Sequence, residues 1–316
     1  MKVLITGGAG FVGSNLAHHL VARNCHVRVL DNLSAGQVDP QLPDAAELVV
    51  GDFTDATVMA DSLKGVDAVV HLAALSGVMD SIVDPEPSFA INVVGTFQLL
   101  QLARRAGVKR VINASTGGAL LGEVTPPISE SMAPSPLSPY GASKMAIEGY
   151  CSAFSGSYGL QCTTLRFSNL YGPRSAHKKS VVAAFIKMMV RGQPLVVYGD
   201  GSQQRDYLFV GDLVFGIEKA LRSNDVGVFQ LGSGGPTTLN RLIEALFAVS
   251  GERTKVQYEP ARRGEVHTTW CDITKARGEL GFDPATPIEQ GLAATWQWFI
   301  ANRDVWTDDS ALTSAD

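Results

Sequence analysis

The feature that most limits what this chain can fold into is Gly7-Gly8-Ala9-Gly10-Phe11-Val12-Gly13, a G-x-x-G-x-x-G segment near the amino terminus. It follows a short apolar run, Lys2–Thr6, and leads into Asn15–Ala22, which has helical spacing. Glycines at a strand-to-helix turn let the backbone bend tightly and come close to a pyrophosphate. The free N–H groups of the helix N-terminus then hold the anion. Gly7, Gly10, Phe11 and Val12 are therefore candidate dinucleotide contacts; the competing reading is that the glycines only shape a turn.

The β-rich run His26–Leu30 closes on Asp31, roughly twenty residues further on, where a carboxylate accepts hydrogen bonds from a ribose diol. The same carboxylate repels a 2′-phosphate. Asn32, Leu33 and Ser34 bring no arginine to offset that repulsion, so the pattern selects NAD over NADP. Asp52, in Gly51-Asp52-Phe53 at the end of a third strand, comes within reach of an adenine edge with Phe53 beside it. A simple turn cap is the other reading of Asp52.

Further apolar runs at Leu48–Val50, Ala68–Leu72, Val111–Ala114 and Thr163–Phe167 are separated by helical stretches such as Phe97–Ala106 and Ser143–Tyr158. Strands and helices in alternation make βαβ units with a parallel sheet buried on both faces. Right-handed crossovers turn these into an α/β fold, an open doubly wound parallel sheet of Rossmann type. After about residue 170 the pattern loosens. The polar loops Tyr171–Lys179, Gly199–Gln204 and Pro260–Glu265 are expected over the carboxyl edge of the sheet, where such folds bind ligands. Asp212–Leu221 and Leu239–Val249 are predicted helices. The expected organisation is an NAD-binding Rossmann domain over 1–168, with segments near 212–240 returning to it, a smaller mixed substrate-binding domain over 169–305, and a frayed tail over 306–316.

Composition narrows the partners. With 316 residues, 45% apolar and 18% charged, the chain is an ordinary soluble one with ample core. A net charge of −5 argues against nucleic acid, which needs a broad basic surface. Cys25, Cys151, Cys162 and Cys271 have neither C-x-x-C nor zinc-like spacing, so no metal site is expected and a reduced setting fits best. No charged leader precedes the first strand, and the apolar runs stop short of a membrane span. The expectation is a cytoplasmic protein with no membrane partner.

Tyr140-Gly141-Ala142-Ser143-Lys144 is Y-x-x-x-K, and i, i+4 spacing puts both side chains on one helix face. A free tyrosine, with a pKa near 10, is a poor base at neutral pH. A nearby ammonium and a positive nicotinamide ring stabilise the phenolate and draw it towards the working range. Alone, the pair reads as a chance surface pair; downstream of a nucleotide cradle it reads as a proton-transfer site.

Taken in order, Thr6–Gly13, Leu30-Asp31-Asn32, Gly51-Asp52, His71-Leu72-Ala73-Ala74, Asn92-Val93-Val94-Gly95-Thr96, Ala114–Gly118, Tyr140–Lys144, Arg166–Pro173 and Gly199–Tyr207 carry a resemblance. The chain resembles the extended short-chain dehydrogenase/reductase family, in particular its nucleotide-sugar epimerases and dehydratases. The resemblance adds Leu72, Ala73, Ala74 and Asn92, and also Tyr140 and Lys144, to the cofactor contacts. It also implies a serine or threonine that shares a hydrogen bond with the reacting sugar hydroxyl. Thr116, 24 residues before Tyr140, is the choice, with Ser115 as the alternative; one form of the motif places Gly117 there. Related 4,6-dehydratases carry an Asp-Glu pair immediately afterwards, and decarboxylating relatives keep a glutamate. Here the positions are Gly117 and Gly118.

The implied activity is therefore NAD-dependent 4-epimerisation of a UDP-sugar through a 4-keto intermediate. Tyr140 acts as base, Lys144 tunes it and binds the nicotinamide ribose, and Thr116 orients the hydroxyl. Asn169, Arg205 and Arg262 match residues that hold the diphosphate, with Arg263 an alternative to Arg262. Thr269 stands where some relatives have a bulky tyrosine, which implies room for an N-acetylated sugar. His177, Lys178 and Lys179 either meet the carboxylate of a uronic acid sugar or form a solvated loop. Relatives dimerise through helices equivalent to Phe97–Ala106 and Ser143–Tyr158, so a homodimer is expected. The competing readings are a reductase or decarboxylase of the same fold, or an idle binder of NAD or a nucleotide sugar.

Overall fold

Six amino-terminal strands lie parallel in one sheet in the computed structural model, which describes residues 1–34, 42–261 and 267–307. They are β1 (Lys2–Thr6), β2 (His26–Asp31), β3 (Glu47–Val50), β4 (Ala68–His71), β5 (Arg110–Thr116) and β6 (Gln161–Phe167). A seventh strand, Gly227–Leu231, pairs in parallel with β6. The order is Gly227–Leu231, β6, β5, β4, β1, β2, β3, so the winding reverses between β1 and β4. Ligands of such sheets bind at that reversal, outside the strands' carboxyl ends.

The strands read as unbroken apolar runs because both faces are covered. Val3 and Ile5 of β1, with Val27, Val29, Ile112, Leu165 and Phe229, face one side. There they meet Leu16 and Leu20 of helix α1 (Phe11–Ala22) and Leu213 and Ile217 of the helix Val210–Arg222. Leu4, Leu30, Val69, Val111 and Cys162 face the other side, against Met59, Leu99, Ile147 and Phe154. This alternation follows from the two-residue period of a strand. Each fully buried Leu, Ile or Phe contributes roughly 1.5–3 kcal/mol.

The helix carrying Tyr140 begins at Pro139 and runs to Tyr158, several residues earlier than the apolar spacing from Ser143 suggests. Its start is set by polar chemistry. Ser138 caps it, its Oγ accepting from Gly141 N at 3.1 Å, and Pro139 occupies the first turn, where its missing N–H is no loss. Gly159, with φ +69°, ends it. A Cβ at Gly141 would overlap the carbonyl oxygen of Ala119, so only glycine lets this helix come so close to the turn after β5.

After β6 the described residues make three small sheets. Asn169–Tyr171 pairs with Tyr207–Phe209, and Leu195–Tyr198 with Val256–Glu259. Gln204–Arg205 lies between Thr237–Thr238 and Thr268–Thr269. Here a third core collects Val182, Phe185, Ile186, Leu242, Leu246, Leu292 and Phe299. Between these excursions Val210–Arg222 packs on α1 and Gly227–Leu231 joins the main sheet. No helix among the described residues is long and apolar enough to cross a membrane.

Leu242 is wholly buried in the third core. Leu242→Ala is expected to lower stability by about 2–5 kcal/mol, read as a lower denaturant midpoint in equilibrium unfolding.

Candidate active site

The turn from β1 into α1 is held open by its lack of side chains. Gly7 has φ +67°, and a Cβ there would lie 2.7 Å from Ala73 N. Gly10 takes the N-cap position of α1 without any side-chain capping bond, so no side chain caps the first N–H groups of the helix. Asp31, at the end of β2, binds this turn as well as facing it: Oδ2 accepts from Ala9 N at 2.9 Å and Oδ1 from Leu33 N at 2.8 Å. Each oxygen keeps a lone pair for a further donor. A cavity of about 80 Å³ opens here, lined by Gly7, Asp31, Asn32, Asp52, Phe53, Ala73 and Ala74 among others.

Burial raises the Asp52 carboxyl, but hydrogen bonds from Thr54 and from Asn32 outweigh it and hold the group below its ordinary range. Asn32 Nδ2 donates at 2.9 Å, which ties the ends of β2 and β3 together. Phe11, Val12 and Leu72 stand partly or wholly in the apolar core behind the turn. Asn92, an expected cofactor contact, is buried, and its amide is used within the protein. Oδ1 accepts from Leu75 N, and Nδ2 donates to Leu75 O, Ser88 Oγ and Ser143 Oγ. It braces the wall of the cavity against the helix Pro139–Tyr158. His71 is likewise internal, held between Thr6 Oγ1 at 2.7 Å and Thr96 Oγ1 at 2.9 Å, and burial lowers it to about 3.

Tyr140 and Lys144 share the first turns of Pro139–Tyr158. Burial alone pushes the Tyr140 phenol up to about 12. Lys144 is buried, and its Nζ donates to Ala114 O at 3.0 Å and lies 6.0 Å from the centre of the Tyr140 ring. Desolvation lowers its pKa to about 8, with Glu148 working in the opposite direction. Thr116 and Ser115 diverge at the end of β5. Thr116 lines a cavity of about 270 Å³, whereas the Ser115 hydroxyl points away from it to Glu148 Oε1 at 2.6 Å.

That cavity brings Thr116, Gly118, Asn169, Arg205 and Thr269 together. It also contains Asp206, which motif reading does not single out. Burial raises the Asp206 carboxyl, which accepts from Ser233 N at 2.6 Å and Cys271 N at 3.1 Å, binding two chain segments into the wall. Arg205 Nη1 donates to Gln204 O and His267 O. An adjoining cavity of about 220 Å³ shares Asn169 and Arg205 and reaches Ser180, Val181 and Val182. Ser180 caps the helix Val181–Val190 by position only: its Oγ is buried with no partner and makes no capping bond. The run Val181–Val190 is apolar, and nothing in its sequence announces that its N-terminus opens onto Arg205. Leu121 is buried in the core and lines neither cavity, while His177 is exposed. Arg262 and Arg263 lie outside the described residues.

The dinucleotide cavity fits a bound NAD: a turn without Cβ atoms, an uncapped helix N-terminus and a carboxylate at the ribose position. The family profile described as the NAD dependent epimerase/dehydratase family matches residues 3–232. The chain belongs to that family. A putative UDP-glucose 4-epimerase of Methanocaldococcus jannaschii is 35% identical over 304 residues, covering 95% of this chain and 99% of the relative. The UDP-glucose 4-epimerase of Thermotoga maritima, solved with UDP-glucose, superposes with a TM-score of 0.91 at 38% identity over 96% of this chain and 100% of the other. The UDP-N-acetylglucosamine 4-epimerase of Methanobrevibacter ruminantium, solved with UDP-N-acetylmuramic acid, gives a TM-score of 0.89 at 32% identity over 95% and 98%. NAD is the cofactor of this family member.

Gly7→Ala adds a methyl group where φ is positive and Ala73 N is 2.7 Å away. The variant is expected to lose the rise in melting temperature that saturating NAD gives the wild type, read by differential scanning fluorimetry.

Proposed function

We propose that this family member epimerises a UDP-sugar at C4 through a transient 4-keto sugar. The observation that carries this reading is the 270 Å³ cavity, which sets Thr116 at the end of β5 in one volume with Asn169 and Arg205. The two positions after Thr116 are Gly117 and Gly118, so the acid that dehydration or decarboxylation draws on is missing there. Asp206 in the same wall is tied to the backbone of Ser233 and Cys271, which makes it a brace between segments.

Bound NAD supplies the hydride acceptor for oxidation at C4 and the donor for the return. Tyr140 removes the proton of the 4-hydroxyl and gives it back. Thr116 orients that hydroxyl from the cavity wall. A phenol pushed up to about 12 by burial needs positive charge beside it to ionise. Lys144 brings part of that charge and, in this reading, holds the nicotinamide ribose. Asn169 and Arg205 hold the diphosphate, joined by Arg262 from the sequence pattern. The uncapped N-terminus of Val181–Val190 adds N–H donors on the same side. Thr269, in the cavity wall, leaves space for a substituent at C2, which supports acceptance of N-acetylated sugars. Free thiols at all four cysteines accord with work in the reducing cytoplasm.

The reading is tested by incubating the protein, without added reductant, with UDP-glucose, UDP-N-acetylglucosamine and UDP-glucuronate, and following products by NMR. A C4-inverted sugar formed with no net change in NAD is the expected result. Net cofactor consumption or release of CO₂ would transfer the assignment to a reductase or a decarboxylase. Tyr140→Phe is expected to lower kcat by about 10²–10⁴-fold while NAD binding persists.

We also propose a homodimer. Phe89 and Val94, on the helical segment Phe89–Gly95 that leads into Thr96–Arg105, and Tyr150 of Pro139–Tyr158 are 60%, 48% and 42% exposed. Light scattering should give twice the mass of one chain, and Tyr150→Glu should shift it towards the single-chain value.

A further inference from the structure

Glu148 sits one turn beyond Lys144 on the helix Pro139–Tyr158 and has no role in the proton transfer set out above. It is buried between that helix and the sheet. Arg166 of β6 grips it with Nε at 3.0 and 3.3 Å and Nη2 at 2.7 Å. Ser115 of β5 donates to the same carboxylate at 2.6 Å. Ser115 and Arg166 are direct partners across β5 and β6, and Ser115 immediately precedes Thr116. One carboxylate therefore ties together the helix bearing Tyr140 and Lys144, the strand that ends in Thr116, and the strand next to it. A buried ion pair adds little net stability over packed apolar groups, so stability alone is a weak reason for it.

The surroundings of Lys144 give the second reason. Its ammonium is buried, and burial disfavours the charged form. His71 on β4 is held neutral between two threonines. On its own helix, Tyr140 is a neutral phenol with its ring centre 6.0 Å from Nζ. Cys151 touches Cys162, and that contact and burial push the Cys151 thiol well up, so it carries no charge at neutral pH. Arg166 on β6 is a cation turned towards Glu148. That leaves Glu148 as the neighbouring anion that acts on Lys144. The Arg166 guanidinium in turn bounds its effect, and Arg166 Nη1 remains buried without a partner.

We propose that Glu148, clamped by Arg166 and Ser115, is a positioning residue that keeps Lys144 protonated and holds Thr116 in register with Tyr140. This rests on the proton-transfer roles given to Tyr140, Lys144 and Thr116. An anion next to a buried cation raises its pKa, so removing the anion lowers it. Removing the Arg166 cation frees the anion and has the opposite effect.

The test uses full-length, cofactor-free protein labelled with ¹³C at lysine Cε, with the Lys144 resonance assigned by its loss in Lys144→Met. Glu148→Gln should move the Lys144 titration down by about one pH unit or more, a tenfold loss of ammonium at fixed pH. Arg166→Gln should move it up, and Glu148→Gln/Arg166→Gln should fall between the two. The alkaline limb of the kcat profile should move in the same directions. If Glu148→Gln does not fold, Arg166→Gln and the charge-neutral double variant carry the comparison. An unmoved titration in folded variants, or shifts of the same sign from both single variants, overturns the proposal. The titration is read without substrate, so a wild type that turns over no UDP-sugar would overturn the functional reading and leave this result standing by itself.

Discussion

Everything at the site hangs on the parallel pairing of β1 with β2 on one side and β4 on the other. Parallel strands end at the same edge, so the turns after β1, β2, β4, β5 and β6 all open there. The glycine turn, Asp31, the Ala73–Ala74 segment, Thr116 and Asn169 stand on these turns. None is near the others in sequence. The sheet makes them neighbours, and its two buried faces hold the edge rigid enough for the neighbours to stay in place.

The groups along that edge are held in different ways. The dinucleotide end is built from backbone N–H groups and a left-handed glycine, with one carboxylate that binds the turn it serves. The end around Thr116, Asn169 and Arg205 is built from side chains on the sheet edge and short strands, with Asp206 acting as a rivet between segments. Between them lies a buried polar row in which Ser115 and Arg166 hold Glu148, one helical turn from Lys144. Burial there works against charge on both Tyr140 and Lys144, raising one and lowering the other. The protonation of the pair is thus governed by which charges surround it. The tyrosine and lysine do not contact each other directly.

The parallel sheet and the glycine turn were legible in the sequence because they are contiguous. A strand, three glycines and a helix follow one another, and the apolar runs repeat. The pairing of Thr116, Asn169 and Arg205 was legible from motif order, although Arg262 falls outside the described residues. Other features depend on contacts between distant segments. Asp206 looks like any acid in a loop until Ser233 and Cys271 close on it. The N-terminus of Val181–Val190 looks like an apolar helix start until Arg205 is opposite it. Asn92 reads as a ligand contact, yet its amide is used up bracing Leu75 and Ser143. The helix at Pro139 starts earlier than apolar spacing indicates, because a serine cap and a proline decide its first turn.

The strand bearing Arg205 has one further consequence. Its two neighbours, Thr237–Thr238 and Thr268–Thr269, come from later parts of the chain, the second of them near its end. During synthesis, the first βαβ units can emerge and condense while these partners are still inside the ribosome. A nascent chain therefore gains a place for its cofactor well before the cavity around Arg205 is complete. The vulnerable stretch of its early life is the one in which Gln204–Arg205 waits as an unpaired edge.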